Sequence, residues 1–173
     1  MIEKPEIDST KMGRFLARRG TLIIKETRPI GRFFTTHEDV IQVHTMIIAL
    51  GNETNRQMIF GVKIEHMDQE DKILCSVLID FDELDELLGA LDLIQSTAAD
   101  LMDLQRDYTE CEYVTKDVAR FGFYQNKQEQ QGYLSLVPGG DSIFVAVDDF
   151  GMLGKLMAMA QSHLVSCGAS NES

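Results

Sequence analysis

The residues best suited to bind another molecule are cations and aromatic rings near the start of the chain. The candidate nucleic-acid-binding residues are Lys11, Arg14, Arg18, Arg19, Lys25, Arg28, Arg32, Phe33 and Phe34. Lysine and arginine neutralise phosphates, and exposed aromatic rings stack on bases for about 1–3 kcal/mol per base. This composition predicts a single-stranded nucleic-acid site on residues 1–36, which we call the basic leader.

The net charge is divided unevenly between the basic leader and the remainder of the chain. Residues 1–36 hold 8 Lys/Arg against 4 Asp/Glu, and residues 37–173 hold 8 against 24, so the total of -12 divides into +4 and -16. Two interpretations follow: the leader packs on its own acidic body, or it binds a partner. Because the body repels a polyanion, a nucleic-acid site would have to be local, on the leader and one sheet face.

Acidic residues follow two apolar runs, at "SVLIDFDELDE" from Ser76 and "SIFVAVDDF" from Ser142. A calcium loop of the EF-hand type needs Gly at its sixth position and Glu at its twelfth. Counted from Asp80, those positions hold Asp85 and Leu91, so the motif fails. We therefore expect Asp82 and Asp148 to act as helix N-caps, where the helix dipole favours negative charge.

Other catalytic and cofactor motifs are also missing from the sequence. "GMLGK" (151–155) lacks the glycine at 149 and the hydroxyl residue at 156 that a phosphate-binding loop requires. The four histidines show no zinc-ligand spacing, and Cys111 lies among acidic residues that oppose a thiolate. We expect no metal, no cofactor and no enzymatic activity, while a triad of distant residues would be recognised by geometry alone.

Composition and cysteine usage favour a cytoplasmic protein that is not bound to a membrane. No apolar run approaches the roughly 20 residues that span a bilayer, and the first residues do not resemble a secretory signal. The three cysteines, Cys75, Cys111 and Cys167, are few and widely spaced, which is typical of free thiols in a reducing compartment.

Hydrophobic periodicity predicts four strands and a helix, repeated once. The first set has strands at 21–27, 40–50, 56–67 and 72–81, and a helix whose apolar stripe runs from Leu84 to Leu101. The second set has strands at 108–116, 120–126, 132–138 and 142–147, and a helix from about Asp148. Pro29 and Gly31 indicate a loop or an irregular edge after the first strand, and Ser9 or Thr10 can cap a short N-terminal helix that stops by Gly20.

The predicted fold class is α+β, with two repeats of four antiparallel strands followed by a helix. The predicted divisions are a basic N-terminal segment 1–19, a first half 20–104, a second half 105–166 and a tail 167–173, all within one compact domain. An offset of 66 residues aligns the apolar positions of the two strand-to-helix passages, and an offset of 61 aligns Phe60-Gly61 with Phe121-Gly122. These echoes suggest an internal duplication.

This element order, carried by Ser76–Leu101 and Ser142–Leu164 with the strands before them, resembles the Whirly-type fold. In that family two antiparallel sheets are held by two helices and bind single-stranded DNA. The resemblance covers about residues 20–165 and lies in element order, because the "KGKAAL" signature is absent and this chain is acidic. It therefore implies the fold more strongly than the function, and no family site residue can be assigned.

A protein-binding function is the competing interpretation. The chain also resembles type III secretion chaperones in its size and low pI of about 4.6, although those proteins have fewer strands. In that case the partner would be a protein client that covers apolar surface. The two helices have broad apolar faces that could pack on each other or on a second copy of the chain, and we expect a homo-oligomer.

Overall fold

The computed structural model describes residues 10–51 and 57–171 of the chain. A short helix, four strands and a long helix are followed by four more strands and a second long helix. The elements are α1 (Lys11–Leu16), β1 (Ile23–Phe34), β2 (Val40–Leu50), β3 (Gln57–Met67), β4 (Ile73–Asp80), α2 (Leu84–Leu101), β5 (Arg106–Val114), β6 (Arg120–Lys127), β7 (Glu129–Ser135), β8 (Ile143–Val145) and α3 (Asp149–Ser166). The predicted α+β class with two strand-and-helix repeats is confirmed.

Each set of four strands forms its own antiparallel sheet, in sequence order. The first sheet has the order β1-β2-β3-β4 and the second has β5-β6-β7-β8. Consecutive strands within a sheet are separated by seven residues or fewer, as antiparallel neighbours allow. β1 and β4 are therefore the edges of the first sheet, and β5 and β8 are the edges of the second.

Each long helix packs on the sheet of the other half of the chain. α3, from the second half, packs on β1 and β2, while α2, from the first half, packs on β5 and β6. The helices also pack on each other, and one hydrophobic cluster contains buried residues of both sheets and both helices. Each half therefore completes its core only in contact with the other half.

The buried positions of α2 and α3 repeat with the predicted offset of 66. The buried apolar residues that match are Leu84, Leu87, Leu91, Ile94 and Ala98 in α2, and Phe150, Leu153, Met157, Ala160 and Leu164 in α3. Each member of the first set is 66 residues before its counterpart in the second. α3 also buries Leu156, whose counterpart Ala90 is only partly buried. The same stripe therefore faces the core in both helices.

The second predicted echo, at offset 61, is wrong. Gly61 lies on the third strand of its sheet and Gly122 on the second strand of the other. The third strand of the second sheet carries Gly132 instead. A Cβ at Gly61 would lie 2.5 Å from the carbonyl oxygen of Ile79, and one at Gly132 would lie 2.8 Å from that of Val145. Both glycines thus admit close approach of the fourth strand, which a local sequence match cannot reveal.

The N-terminal helix forms as its sequence predicts. Thr10 is the N-cap of α1, and its hydroxyl oxygen accepts a hydrogen bond from the backbone N–H of Gly13 at 3.1 Å. Met12 packs with Met46 and Ile48 on the face of the first sheet that points away from α3. We call this the outer face. Within the described residues, no helix is both long and apolar enough to cross a membrane.

Candidate nucleic-acid interface

β1 holds the largest group of the predicted binding residues. Lys25, Arg28, Arg32 and Phe34 are exposed along this strand, and Phe34 is 64% exposed. Because side chains alternate along a strand, Lys25 and Arg32 lie on the outer face and Arg28 lies on the opposite face, beside α3. We call these four residues the basic edge, since β1 is the free edge of its sheet.

The irregularity that the sequence predicts near Pro29 is a bulge within a continuous strand. The pairing register with β2 shifts between Pro29 and Gly31, and the strand continues to Phe34. Gly31 packs closely on α3 at this point, since a Cβ would lie 2.5 Å from the Cδ2 atom of Leu156 and would displace that side chain. A lysine, a proline and a bulge are devices that prevent an edge strand from pairing with another strand. The basic edge is therefore protected from pairing with a further strand.

The other predicted residues lie in different surroundings. Phe33 is buried in the main core, so its ring cannot stack on a base, and this part of the predicted site is wrong. Lys11 Nζ lies 3.1 Å from the Asp82 Oδ2 atom, and Arg14 lines a groove with Asp80 and Asp82. On α1, the cations thus face carboxylates of the chain itself.

Arg18 and Arg19 lie in the connection between α1 and β1, and Arg32, within the basic edge, is near an acidic side chain. The Arg18 guanidinium lies 4.2 Å from the ring centroid of Phe15, in cation–π geometry, and Arg19 is exposed. Arg32 Nη1 lies 3.6 Å from Asp71 Oδ1, with both side chains largely in solvent. Such an exposed ion pair contributes at most about 1 kcal/mol, so a phosphate can replace Asp71. The predicted residues consequently divide between the basic edge, the α1–β1 connection, α1 and the core.

The acidic run after β4 connects elements of the fold and does not cap its own helix. Both carboxylate oxygens of Asp80 accept backbone hydrogen bonds from α1, at 2.6 Å from Lys11 N and 3.1 Å from Met12 N. Asp82 pairs with Lys11 at 3.1 Å and with Lys116 at 3.2 Å. Asp148 stands at the predicted N-cap position of α3, although its side chain makes no capping bond. The prediction for Asp82 is wrong, because Glu83 holds the N-cap position of α2.

Asp82 and Glu83 are adjacent, but their pKa values move in opposite directions. Burial alone would raise the pKa of Asp82, but hydrogen bonds and charge from Lys11 and Lys116 outweigh it and lower the value. Burial raises the pKa of Glu83, whose Oε1 accepts a 2.6 Å hydrogen bond from Lys116 N while its buried Oε2 has no partner among the described residues. These contacts hold α1 and the β5–β6 turn against the start of α2.

A polar network on the outer face was not predicted. The Nε2 atom of His44 lies 2.9 Å from the Oε2 atom of Glu65, and Lys63 pairs with the other oxygen of that carboxylate. Glu65 is buried, and the strand register brings the three side chains together. Side-chain alternation predicts which residues of a single strand share a face. Only the pairing register between β2 and β3 shows that His44, Lys63 and Glu65 are neighbours.

Aromatic rings also occur on the face of the second sheet that points away from the core, but with the opposite charge. Tyr124 lies between Tyr108 and Tyr133, with ring centroids 6.1 Å and 6.4 Å away. The Tyr133 hydroxyl lies 2.7 Å from Glu110 Oε1 and 2.6 Å from Glu112 Oε2. Burial and these two carboxylates raise the pKa of Tyr133 well above its usual range. Carboxylates among the rings repel phosphates, so this face is a poor nucleic-acid site.

Comparisons with known proteins give no relative from which a function could be transferred. No family model matches the chain, and neither the curated proteins nor the solved structures contain a match. Within the described part of the chain, no three His, Cys, Asp or Glu side chains are grouped so as to hold a metal ion. The functional argument therefore depends on the surfaces described above.

Proposed function

We propose that this is a non-enzymatic binding protein that binds single-stranded nucleic acid along the basic edge. The observation that carries the proposal is the exposure of Lys25, Arg28, Arg32 and Phe34 on one strand that is protected from strand pairing. Cations contact the phosphates, and the Phe34 ring offers a stacking surface for one base.

The dimensions of the strand fit an extended ligand. At about 3.3 Å per residue, the cations at 25, 28 and 32 are separated by roughly 10 Å and 13 Å along β1. The exposed connection that carries Arg18 and Arg19 leads into the same strand. Three phosphate contacts predict a slope of about -2 for log K against log salt with a single strand. Binding should therefore be strongest at low salt, because the acidic body opposes it.

The test measures binding of a fluorescently labelled oligothymidine by anisotropy at about 50 mM salt. We expect the wild-type protein to bind, and the triple variant Lys25→Gln, Arg28→Gln, Arg32→Gln to lose binding. The matched control is Arg106→Gln, Lys127→Gln, which neutralises exposed cations of the second sheet and should bind normally. Absence of wild-type binding, or equal loss in both variants, would overturn the proposal.

Phe34 allows a separate test of base stacking. Phe34→Leu keeps an apolar side chain but removes the ring, and we expect it to weaken binding about 5- to 150-fold, which corresponds to 1–3 kcal/mol. Because Phe34 is 64% exposed, the substitution should leave the melting temperature unchanged. Unaltered affinity would show that the site binds phosphates without stacking.

A second candidate function, self-association or client binding, is favoured by the opposite edge of the same sheet. β4 carries no charged side chain between Lys72 and Asp80, and Ile73 and Leu74 are 52% and 50% exposed. β1 and β5, in contrast, carry charges along their exposed positions. An unprotected apolar edge is a place where another strand can add to the sheet.

We propose that a second copy of the chain occupies the β4 edge. Antiparallel pairing about Ser76 would place the apolar Leu74 of one copy opposite Leu78 of the other and would oppose no like charges. Light scattering should show a dimer for the wild type, a monomer for Leu74→Lys and a dimer for the control Leu93→Lys, which changes an exposed residue of α2. A monomeric wild type would reject self-association; an extended segment of a protein client is the alternative occupant of this edge.

A further inference from the structure

A thiol, an imidazole and a carboxylate lie in a row at one end of the first sheet. The Sγ atom of Cys75 on β4 is 4.0 Å from the Nδ1 atom of His66 on β3. The Nε2 atom of the same ring is 2.9 Å from the Oδ2 atom of Asp39, just before β2. The three residues come from separate strand regions, and no sequence motif connects them.

The backbone fixes this row. Cys75 and His66 are directly paired across β3 and β4, so their side chains lie on the same face. Asp39 closes the β1–β2 turn, where its carbonyl oxygen accepts a 2.8 Å hydrogen bond from the backbone N–H of Thr35. With the Nε2 proton donated to Asp39, the lone pair of Nδ1 points toward the thiol. The imidazole is thus positioned to accept the proton of Cys75.

The two half-buried cysteines, Cys75 and Cys111, both have thiols that burial makes less acidic. Burial raises the pKa of the Cys75 thiol and, on β5, that of the Cys111 thiol. A thiol of this kind is mostly protonated at neutral pH and needs a base during attack. Among the described contacts, Cys75 has an imidazole as partner and Cys111 has none.

We propose that Cys75 is an oxidation site for small hydroperoxides, with His66 as its base and Asp39 as a positioning residue. His66 Nδ1 takes the thiol proton while Sγ attacks one peroxide oxygen, so that an S–O bond forms and the O–O bond breaks. The proton passes from His66 to the leaving oxygen. The products are a cysteine sulfenic acid and water, or an alcohol from an alkyl hydroperoxide.

The surroundings explain the choice of oxidant. Cys75 is half-buried and the His66 side chain is only 12% exposed, so a bulky electrophile would not reach the sulfur atom. The nearby Asp39 carboxylate disfavours anionic reactants such as negatively charged thiols or disulfides. A hydroperoxide is small and neutral and meets both conditions.

The experiment follows sulfenic acid formation in the full chain at each cysteine. The Cys167→Ser background removes the exposed thiol, which lies 3.8 Å from His163 and would react separately. After hydrogen peroxide treatment, dimedone labelling and mass spectrometry should show Cys75 modified at least 10-fold faster than Cys111. Equal rates at Cys75 and Cys111 would overturn the proposal.

The His66→Ala variant separates a base from a merely structural residue. We expect it to slow oxidation of Cys75 to the rate of Cys111, and added free imidazole to restore it, because the small base can enter the space left by the ring. Slow oxidation without rescue, or no change in rate, would contradict the role of His66.

Asp39→Asn and Asp39→Glu provide a second test that does not depend on the His66 variant folding. We expect Asn to slow Cys75 oxidation, since it can present its NH₂ group to Nε2 and favour the wrong tautomer. Glu should restore much of the rate because it keeps a carboxylate. Equal rates for wild type and Asp39→Asn would remove Asp39 from the mechanism.

Discussion

The two passages from strand to helix, β4 to α2 and β8 to α3, share their apolar positions but differ in their polar contacts. Val77 and Ile79 precede α2 as Ile143 and Val145 precede α3, and all four are buried. After β4, however, the carboxylates bind α1 and the β5–β6 turn. After β8, the Asp149 carboxylate accepts a local hydrogen bond from Ala146 N at 2.9 Å.

In this repeat the polar contacts depend on position in the fold, whereas the buried apolar stripe does not. Each long helix packs against the sheet of the other half and against the other long helix. Both helices therefore need the same buried apolar stripe. Only the first passage lies against α1 and the β5–β6 turn, and therefore only its acids have distant partners. The similarity of the apolar pattern does not extend to the roles of the polar residues.

The largest expected effect concerns the shared stripe. Leu87→Ala and Leu153→Ala remove fully buried side chains at equivalent positions, and each should lower the free energy of unfolding by about 2–5 kcal/mol in urea denaturation. The matched controls are Leu93→Ala and Met159→Ala, also 66 residues apart but exposed, which should change stability by less than about 0.5 kcal/mol. A large loss at only one of the two buried positions would break the equivalence of the halves.

A smaller effect should distinguish the polar contacts. Asp80 is 2% exposed and uses both oxygens, so Asp80→Asn sets an amide NH₂ group against a backbone N–H of α1. We expect a loss of about 1–3 kcal/mol in the free energy of unfolding. Asp149→Asn can keep its single acceptor for Ala146 N and should lose less than about 0.5 kcal/mol. Equal losses in thermal and urea unfolding would show that the two acids play the same role.

The smallest effect is a pH dependence of opposite sign at Asp82 and Glu83. The pKa of Glu83 is raised above 4.5, so its charge destabilises the fold at neutral pH and the penalty disappears as the pH falls through the folded pKa. Glu83→Gln keeps an acceptor for Lys116 N and should therefore be more stable than wild type at pH 7, with the difference shrinking toward pH 4.

Asp82 provides the comparison for that measurement. Its pKa lies below 3.8, so its contribution to stability is present above that pH and is lost as the pH falls through the folded pKa. Asp82→Asn should thus be less stable than wild type at pH 7, and the difference should vanish in acid. Urea unfolding at several pH values measures the free energy of unfolding of both variants. If Glu83→Gln and Asp82→Asn changed it in the same direction at pH 7, the opposite pKa shifts of the two residues would be contradicted.

The sequence was more informative about elements than about the site. Periodicity located β2, β3, β6 and both long helices to within one or two residues, because strands and helices bury residues with different periods. The predicted cations are divided in the structure between α1, the α1–β1 connection and β1, and Phe33 and Phe34 could not be told apart by type. Adjacent strand residues point to opposite faces, so one ring is buried and the other is exposed.

The amino-acid sequence by itself determined the fold class, the offset of 66 and the charged leader, because these depend on local pattern and composition. Only the tertiary structure decided which helix covers which sheet, which acids bind α1, and that Cys75, His66 and Asp39 lie in one row. Those features depend on strand register and on contacts between residues far apart in the chain. A sequence pattern carries no direct record of either, because separation along the chain does not give distance in space.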